Sequence, residues 1–264
     1  MVTHKTQIAI IGGGPAGLLL SHILHLNGID STVIERQSKA HVKGRIRAGV
    51  LEAGTVQLLR DVGLGDRMDR EGMPHDGTSF TWENKPSLFI NVKKFTGKSF
   101  MAYGQTSITE DLYLQREQDN GQIICETSEV QINDIGKKKP KVTFLADGQN
   151  HEVICDFIAG CDGFHGVSRQ SIPTHLQRSF QRTYPFGWLG IMAKVPPYKD
   201  VLYGYHSEGF ALASQRNPML SRFYIQVDIQ DKIKDWSDDR FWEALLRRLP
   251  KEVTKDIQTG PSIE

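Results

Sequence analysis

The sequence predicts a mixed α/β fold, and three observations carry that expectation. Gly12-Gly13-Gly14-Pro15-Ala16-Gly17 stands between the apolar run Ile8-Ala9-Ile10-Ile11 and the helix-like segment Leu18 to Leu26, in the order strand, turn, helix. A second apolar run, Ser31-Thr32-Val33-Ile34, ends on Glu35. Further along, the period changes to short alternating stretches that read as strands of a mixed sheet.

The first two observations define a Rossmann-like βαβ unit. Gly12, Gly14 and Gly17 match G-x-G-x-x-G. Small residues there permit a tight turn, close approach of backbone to a pyrophosphate, and close packing of helix on strand. The unpaired N–H groups at the helix start face the phosphates. Glu35 stands about twenty residues on, where such folds place an acid for the ribose. Plain packing does not require an acid at that distance, so the combination reads as a dinucleotide site.

Composition bounds the partners. Of 264 residues, 39% are hydrophobic, and Lys+Arg 32 balance Asp+Glu 31 for a net charge of +1. That leaves no broad basic face for nucleic acid or an anionic membrane. The densest basic run, Lys137-Lys138-Lys139-Pro140, reads as a solvated hairpin tip. The apolar stretch around Leu18-Leu19-Leu20 is interrupted by polar residues and lacks a basic leader, so neither signal peptide nor membrane span is expected. Cys125, Cys155 and Cys161 show neither C-x-x-C spacing nor an even count. They read as buried free thiols in a reducing, cytoplasmic compartment.

After Glu35, the polar segment from Arg36 to Lys43 reads as a surface loop or as a site for a ribose phosphate. Arg45-Ile46-Arg47-Ala48-Gly49-Val50 carries two guanidiniums two residues apart, on one side of an extended backbone. Glu52 to Val62 makes a scaffold helix stopped by Gly63. Ser79-Phe80-Thr81-Trp82 and Leu88-Phe89-Ile90 form a hairpin around Asn84-Lys85-Pro86. A helix from Thr106 to Glu117 follows, then strands around Val130-Gln131-Ile132 and Lys141-Val142-Thr143-Phe144 that turn at Asp147-Gly148. Asp162-Gly163, with Ser168-Arg169 beyond, closes an apolar strand and reads equally as a turn or a site. Ser214 and Arg216 lie two apart on a strand-like run, where a hydroxyl and a guanidinium can hold a carboxylate. Asp238 to Leu249 is an amphipathic helix closed by Pro250.

The glycine motif with Glu35, the run from Arg45 to Val50, Tyr103-Gly104-Gln105-Thr106 and the Asp162-Gly163 segment together resemble the flavoprotein aromatic hydroxylases. Tyr184-Pro185-Phe186-Gly187-Trp188-Leu189-Gly190, Gly209-Phe210-Ala211-Leu212-Ala213-Ser214-Gln215-Arg216 and Asp235-Trp236-Ser237-Asp238 narrow the likeness to members acting on hydroxybenzoates. It covers essentially the whole chain.

The resemblance implies an FAD-binding domain at 1–75 and 103–182 and an inserted β-sheet substrate domain at 76–102 and 183–264. It implies that Gly12, Gly14, Gly17 and Glu35 hold the ADP part of FAD. Arg45, Ile46, Arg47, Ala48, Gly49, Val50, Gln105, Asp162 and Arg222 then serve the rest of the flavin. Arg36 and His165 meet the reduced nicotinamide cofactor, with a lean to NADPH over NADH that His41 weakens, since some members carry an aromatic residue there. Ser214, Arg216 and Tyr224 hold the substrate carboxylate, and Gln215 belongs to the substrate-binding set. Tyr203 meets the phenol, and His75 is the outer end of a proton relay. The implied reaction is hydroxylation of 4-hydroxybenzoate to 3,4-dihydroxybenzoate with NAD(P)H and O₂ through a flavin hydroperoxide, in aromatic catabolism, by a homodimer without metal.

Two alternatives stay open: a sister hydroxylase for an aminobenzoate or 3-hydroxybenzoate, and a flavin- or nucleotide-binding module without turnover. In the family, a further segment follows the position of Glu264. The chain is therefore expected to be the N-terminal two-thirds of such an enzyme, and to hold FAD poorly by itself.

Overall fold

The computed structural model describes residues 1–45, 49–83 and 85–263. Ile46, Arg47 and Ala48 of the expected flavin segment, and Asn84 of the expected hairpin turn, lie outside the described residues. The chain divides into two compact units. One comprises Met1–Ala48, Val62–Leu64 and Gln105–Phe180, the other Gly49–Asp61, Gly65–Gly104 and Gln181–Glu264.

The first unit is built on four parallel strands in the order Phe157–Gly160, Ile8–Ile11, Ser31–Ile34, Gln122–Ile124. Both faces of this sheet are covered, in keeping with its largely apolar strands. Ala9, Ile11 and Ile34 pack with Val142, Phe144 and Val153 on one face, while Ile10 and Val33 pack with Leu24 on the other. Helix Pro15–Leu26 begins with proline in its first turn, where no N–H is needed. It packs against helix Gln105–Gln118. A second sheet runs in the order Val2–Lys5, Gln149–Ile154, Lys141–Ala146, Ser128–Asn133. Its tight hairpin turns at Asp147 and Gly148, with φ of 49° and 70°. Positive φ at both central residues is the type I′ geometry whose twist matches the flanking strands. Arg36 to Lys43 is not simply a loop: Lys39–Gly44 is a short helix whose Ser38 side chain accepts from the His41 N–H.

The second unit holds a six-stranded sheet in the order Phe186–Ala193, Leu220–Asp228, Ala211–Asn217, Val201–Tyr205, Thr78–Trp82, Lys85–Ile90. Strands Val201–Tyr205 and Thr78–Trp82 pair in parallel, and the other neighbours are antiparallel. One face is covered by helix Asp238–Arg247, which buries Phe241, Trp242 and Leu245 against Leu202, Ala213, Phe223 and Ile225. Ser237 caps that helix by accepting from the Arg240 N–H, and Asp238 and Asp239 lie in its first turn, at the positive end of the helix dipole.

A three-stranded sheet in the same unit pairs Val50–Leu51 and Met73–His75 with Phe100–Ala102. This pairing is why residues 49–61 and 65–75 group with the second unit, against the expectation that residues up to 75 belong with the first. Cys125, Cys155 and Cys161 are free thiols, of which only Cys155 is fully buried. Among the described residues no helix is long and apolar enough to cross a membrane.

Candidate functional site

In the first unit a cleft of about 340 Å³ opens over the C-terminal ends of the parallel strands, where open α/β sheets bind ligands. Gly12, Gly14, Glu35, Arg36, His41, Arg45, Gln105, Asp162 and His165 all line it. Each glycine of the motif meets a different constraint. Gly12 has φ +106°, and a Cβ there would lie 2.4 Å from the Cys161 carbonyl oxygen. A Cβ on Gly17 would lie 2.0 Å from the Gly12 oxygen, so Gly17 sets the approach of helix to turn and does not line the cleft. A Cβ on Gly14 would meet nothing within 4 Å. No described protein atom demands glycine at Gly14; its open side leaves room for a group to come close to backbone.

The acids are held by main chain. Glu35 accepts from the Gly13 N–H at 2.6 Å and from the Gln37 N–H at 2.7 Å, one bond to each oxygen. Its carboxylate is thereby fixed, with lone pairs left for hydroxyl donors. Asp162 accepts from the Ser168 N–H at 2.9 Å, capping the short helix Val167–Gln170. Gly166 makes room for it, since a Cβ there would fall 2.0 Å from the Asp162 carboxyl carbon. Both readings of Asp162 meet in one residue, which shapes the turn and lines the cleft.

Sequence reasoning missed Thr127, Tyr113 and Cys161. Thr127 is buried in the cleft wall, and its Oγ1 has no partner among the described residues. Burial pushes the Tyr113 hydroxyl and the Cys161 thiol up from their ordinary pKa, so neither adds negative charge where phosphates approach. None of the three follows from spacing: Thr127 and Cys161 follow strands that pair in the parallel sheet, and Tyr113 comes from helix Gln105–Gln118, its hydroxyl 3.0 Å from where a Cβ on Gly13 would lie.

The cradle at Gly14, the fixed acid and the orphaned Thr127 hydroxyl fit an adenine dinucleotide. A family described as FAD binding domain matches residues 5–264. The chain belongs to that family. As an FAD binding domain protein, it is 46% identical over its full length to p-hydroxybenzoate hydroxylase of Acinetobacter baylyi, spanning 65% of that protein. It is 23% identical to the 3-(3-hydroxy-phenyl)propionate/3-hydroxycinnamic acid hydroxylase of Burkholderia cenocepacia, over 72% of this chain and 35% of the relative. Among solved structures, p-nitrophenol 4-monooxygenase PnpA of Pseudomonas putida shares the fold, with a TM-score of 0.80 at 17% identity over 95% of this chain and 64% of that one.

In the second unit of this FAD binding domain protein, the sheet face opposite helix Asp238–Arg247 carries the expected substrate residues. Direct cross-strand partners project to the same side. Tyr203, Leu212, Tyr224 and Gly190 therefore form one row, and Ser214, Arg222 and Met192 the next. Tyr203 stacks on Phe80 with centroids 5.5 Å apart, and the Arg222 guanidinium lies 4.9 Å from the Tyr224 ring centroid. The Ser214 hydroxyl donates to the Arg222 carbonyl at 3.2 Å, so it must rotate to serve a ligand. The register shifts between Gln215 and Asn217, leaving Arg216 at a bulge that the simple alternation of Ser214 and Arg216 did not foresee.

Gln215 stands apart from these residues. It is fully buried, on the opposite face from Ser214, and its amide donates to the carbonyls of Tyr198 at 2.7 Å and Lys199 at 3.0 Å. Period-two alternation turns its side chain away from the face proposed for substrate. Gly49 and Val50 lie in the second unit and do not line the cleft; Gly49 instead backs Arg216. His75 lies on strand Met73–His75, buried and stacked on Phe100 at 5.4 Å, with no partner for its Nε2 among the described residues. Burial lowers its pKa, against the opposing pull of Asp200 and Asp76.

Proposed function

We propose that this chain carries the FAD-binding and substrate-binding parts of a monooxygenase that converts 4-hydroxybenzoate to 3,4-dihydroxybenzoate with NADPH or NADH and O₂. The observation that carries the reading is the co-facial set Tyr203, Ser214 and Tyr224 beside Arg216, on the sheet face opposite helix Asp238–Arg247. The 46% identity to a p-hydroxybenzoate hydroxylase supports it.

FAD, when bound, supplies electron transfer from the nicotinamide and activation of O₂. Gly12, Gly14 and Glu35 hold its ADP end, while Arg45, Gln105 and Asp162 face the remainder. Arg36 and His165 are the contacts for the pyridine nucleotide. The protein's own part in the chemistry is to bind the acid and prepare the ring. Arg216 supplies the charge for the carboxylate, with hydroxyls of Ser214 and Tyr224 beside it. Tyr203 hydrogen-bonds the phenol oxygen and favours its ionised form, which enriches the ring carbon beside it. His75, neutral in its buried setting, is the acceptor of the released proton. The aromatic rings of Phe80 and Trp188 lie beside these residues and add apolar surface to the face.

The test is NAD(P)H oxidation and product formation by the whole protein across hydroxy- and aminobenzoates. Coupled turnover with 4-hydroxybenzoate supports the proposal. Turnover only with another benzoate, or none with any, overturns it.

A further inference from the structure

Two glycines of the second unit stand against the two side chains proposed to grip the carboxylate. A Cβ built on Gly49 would fall 1.7 Å from Nη1 and 2.8 Å from Cζ of Arg216. One built on Gly190 would fall 2.6 Å and 2.7 Å from the Cε1 and Cδ1 carbons of Tyr224, its direct cross-strand partner. Neither glycine has the positive φ that would itself exclude a side chain. At Gly49 the nearest backbone atom, the Gly104 Cα, stands off at 3.2 Å; at Gly190 it is the Phe223 carbonyl oxygen at 3.4 Å. The closest collision a methyl group would make at each position is therefore with a side chain, the Arg216 guanidinium at Gly49 and the Tyr224 ring at Gly190, and not with backbone. A requirement of that kind serves placement and not folding.

We infer that Gly49 and Gly190 are positioning residues for carboxylate recognition: Gly49 lets the Arg216 guanidinium lie back against the main chain, and Gly190 does the same for the Tyr224 ring. Together they fix where the anion sits on the sheet face, and hence which end of an aromatic acid is held. The two come from separate elements, one leading into strand Val50–Leu51 and the other inside strand Phe186–Ala193. The same device thus occurs twice in one site. Arg216 sits at a bulge, whose looser backbone leaves the side chain to be aimed by what backs it.

The inference rests on the reading of Arg216 as the carboxylate anchor, and the test separates the two. In the whole protein, calorimetric titration compares 4-hydroxybenzoate with its neutral analogue 4-hydroxybenzamide in Gly49→Ala, Arg216→Ala and the double variant. The expected result is a rise in Kd of tenfold or more for the acid in Gly49→Ala, less than twofold for the amide, and no further loss when Gly49→Ala is added to Arg216→Ala. Equal losses for acid and amide, or penalties that add in the double variant, overturn the positioning role. Unchanged acid binding in Arg216→Ala overturns the underlying reading instead. Should Gly49→Ala prove too unstable to titrate, its Tm must recover in the double variant, because the colliding guanidinium is gone; no recovery refutes the inference. The same cycle with Gly190→Ala and Tyr224→Ala must show the same lack of additivity.

Discussion

The nucleotide cleft and the sheet face are built on different principles. The cleft is a main-chain device: Gly12, Gly17 and the amides of Gly13 and Gln37 that hold Glu35 follow from the ends of two neighbouring parallel strands and the turn and helix between them. The face is a side-chain device. Tyr203, Ser214 and Tyr224 come from three strands, and only the register brings them together. A backbone site depends on where main-chain atoms can approach; a register-built site depends on which side chains the pairing brings together and on what backs them.

The largest effect that would sharpen this contrast lies on the face. Arg216→Ala should weaken 4-hydroxybenzoate binding by about 2–5 kcal/mol, the range for removing one partner of a buried charge pair. Calorimetry on the whole protein measures it, and unchanged affinity would erase the distinction. In the cleft, Gly17→Ala forces a methyl onto the Gly12 oxygen and should cost about 1–3 kcal/mol of stability, as overpacking does. Gly14→Ala should stay within about 0.5 kcal/mol in urea unfolding, as surface changes do, yet bind FAD more weakly in a fluorimetric titration. Equal stability losses at the two glycines would break the account of the motif.

Tyr203→Phe removes one oxygen and should leave the rate of flavin reduction near wild type, while product formed per NAD(P)H consumed falls. Stopped-flow absorbance and product assay report the two quantities separately, and full coupling in the variant removes Tyr203 from the proton path. The smallest effect is that of His75. Its folded pKa lies below the ordinary value of about 6.5, chiefly through burial. As pH falls past that value the unfolded chain takes up the proton first, so stability declines until the lower folded pKa is passed and then levels. The slope cannot exceed about 1.4 kcal/mol per pH unit for one group. Tm measured from pH 8 to 5 should fall less steeply in His75→Gln than in wild type; identical slopes would show that another group controls this range.

How much was legible in the sequence follows the same division. Gly12, Gly14, Gly17 and Glu35 could be placed because their spacing is itself the geometry. The hairpin at Asp147-Gly148 was legible for the same reason. Thr127 was not, since nothing local marks a threonine that parallel pairing carries to the glycine turn. Alternation alone sends the Gln215 side chain to the far face from Ser214. The bulge at Arg216 and the clashes awaiting a Cβ at Gly49 and Gly190 depend on register across distant segments, which no single window of sequence contains. Residues 49–61 and 65–75 group with the second unit because two of their strands pair with Phe100–Ala102, a choice that propensity does not encode.

The parallel pairing of Val201–Tyr205 with Thr78–Trp82 has a consequence for how the chain is made. Val201 meets Thr78, 123 residues earlier in synthesis (201 − 78). At about 5–20 residues per second, the hairpin of residues 78–90 leaves the ribosome roughly 6–25 s before its neighbour strand. During that interval one edge of Thr78–Trp82 has no partner, and the hairpin also carries Leu88, Phe89 and Ile90, which stay exposed even in the finished fold. Nascent chains stalled between these two points should therefore recruit chaperones that bind exposed apolar strands, and release them once residues 201–228 have emerged.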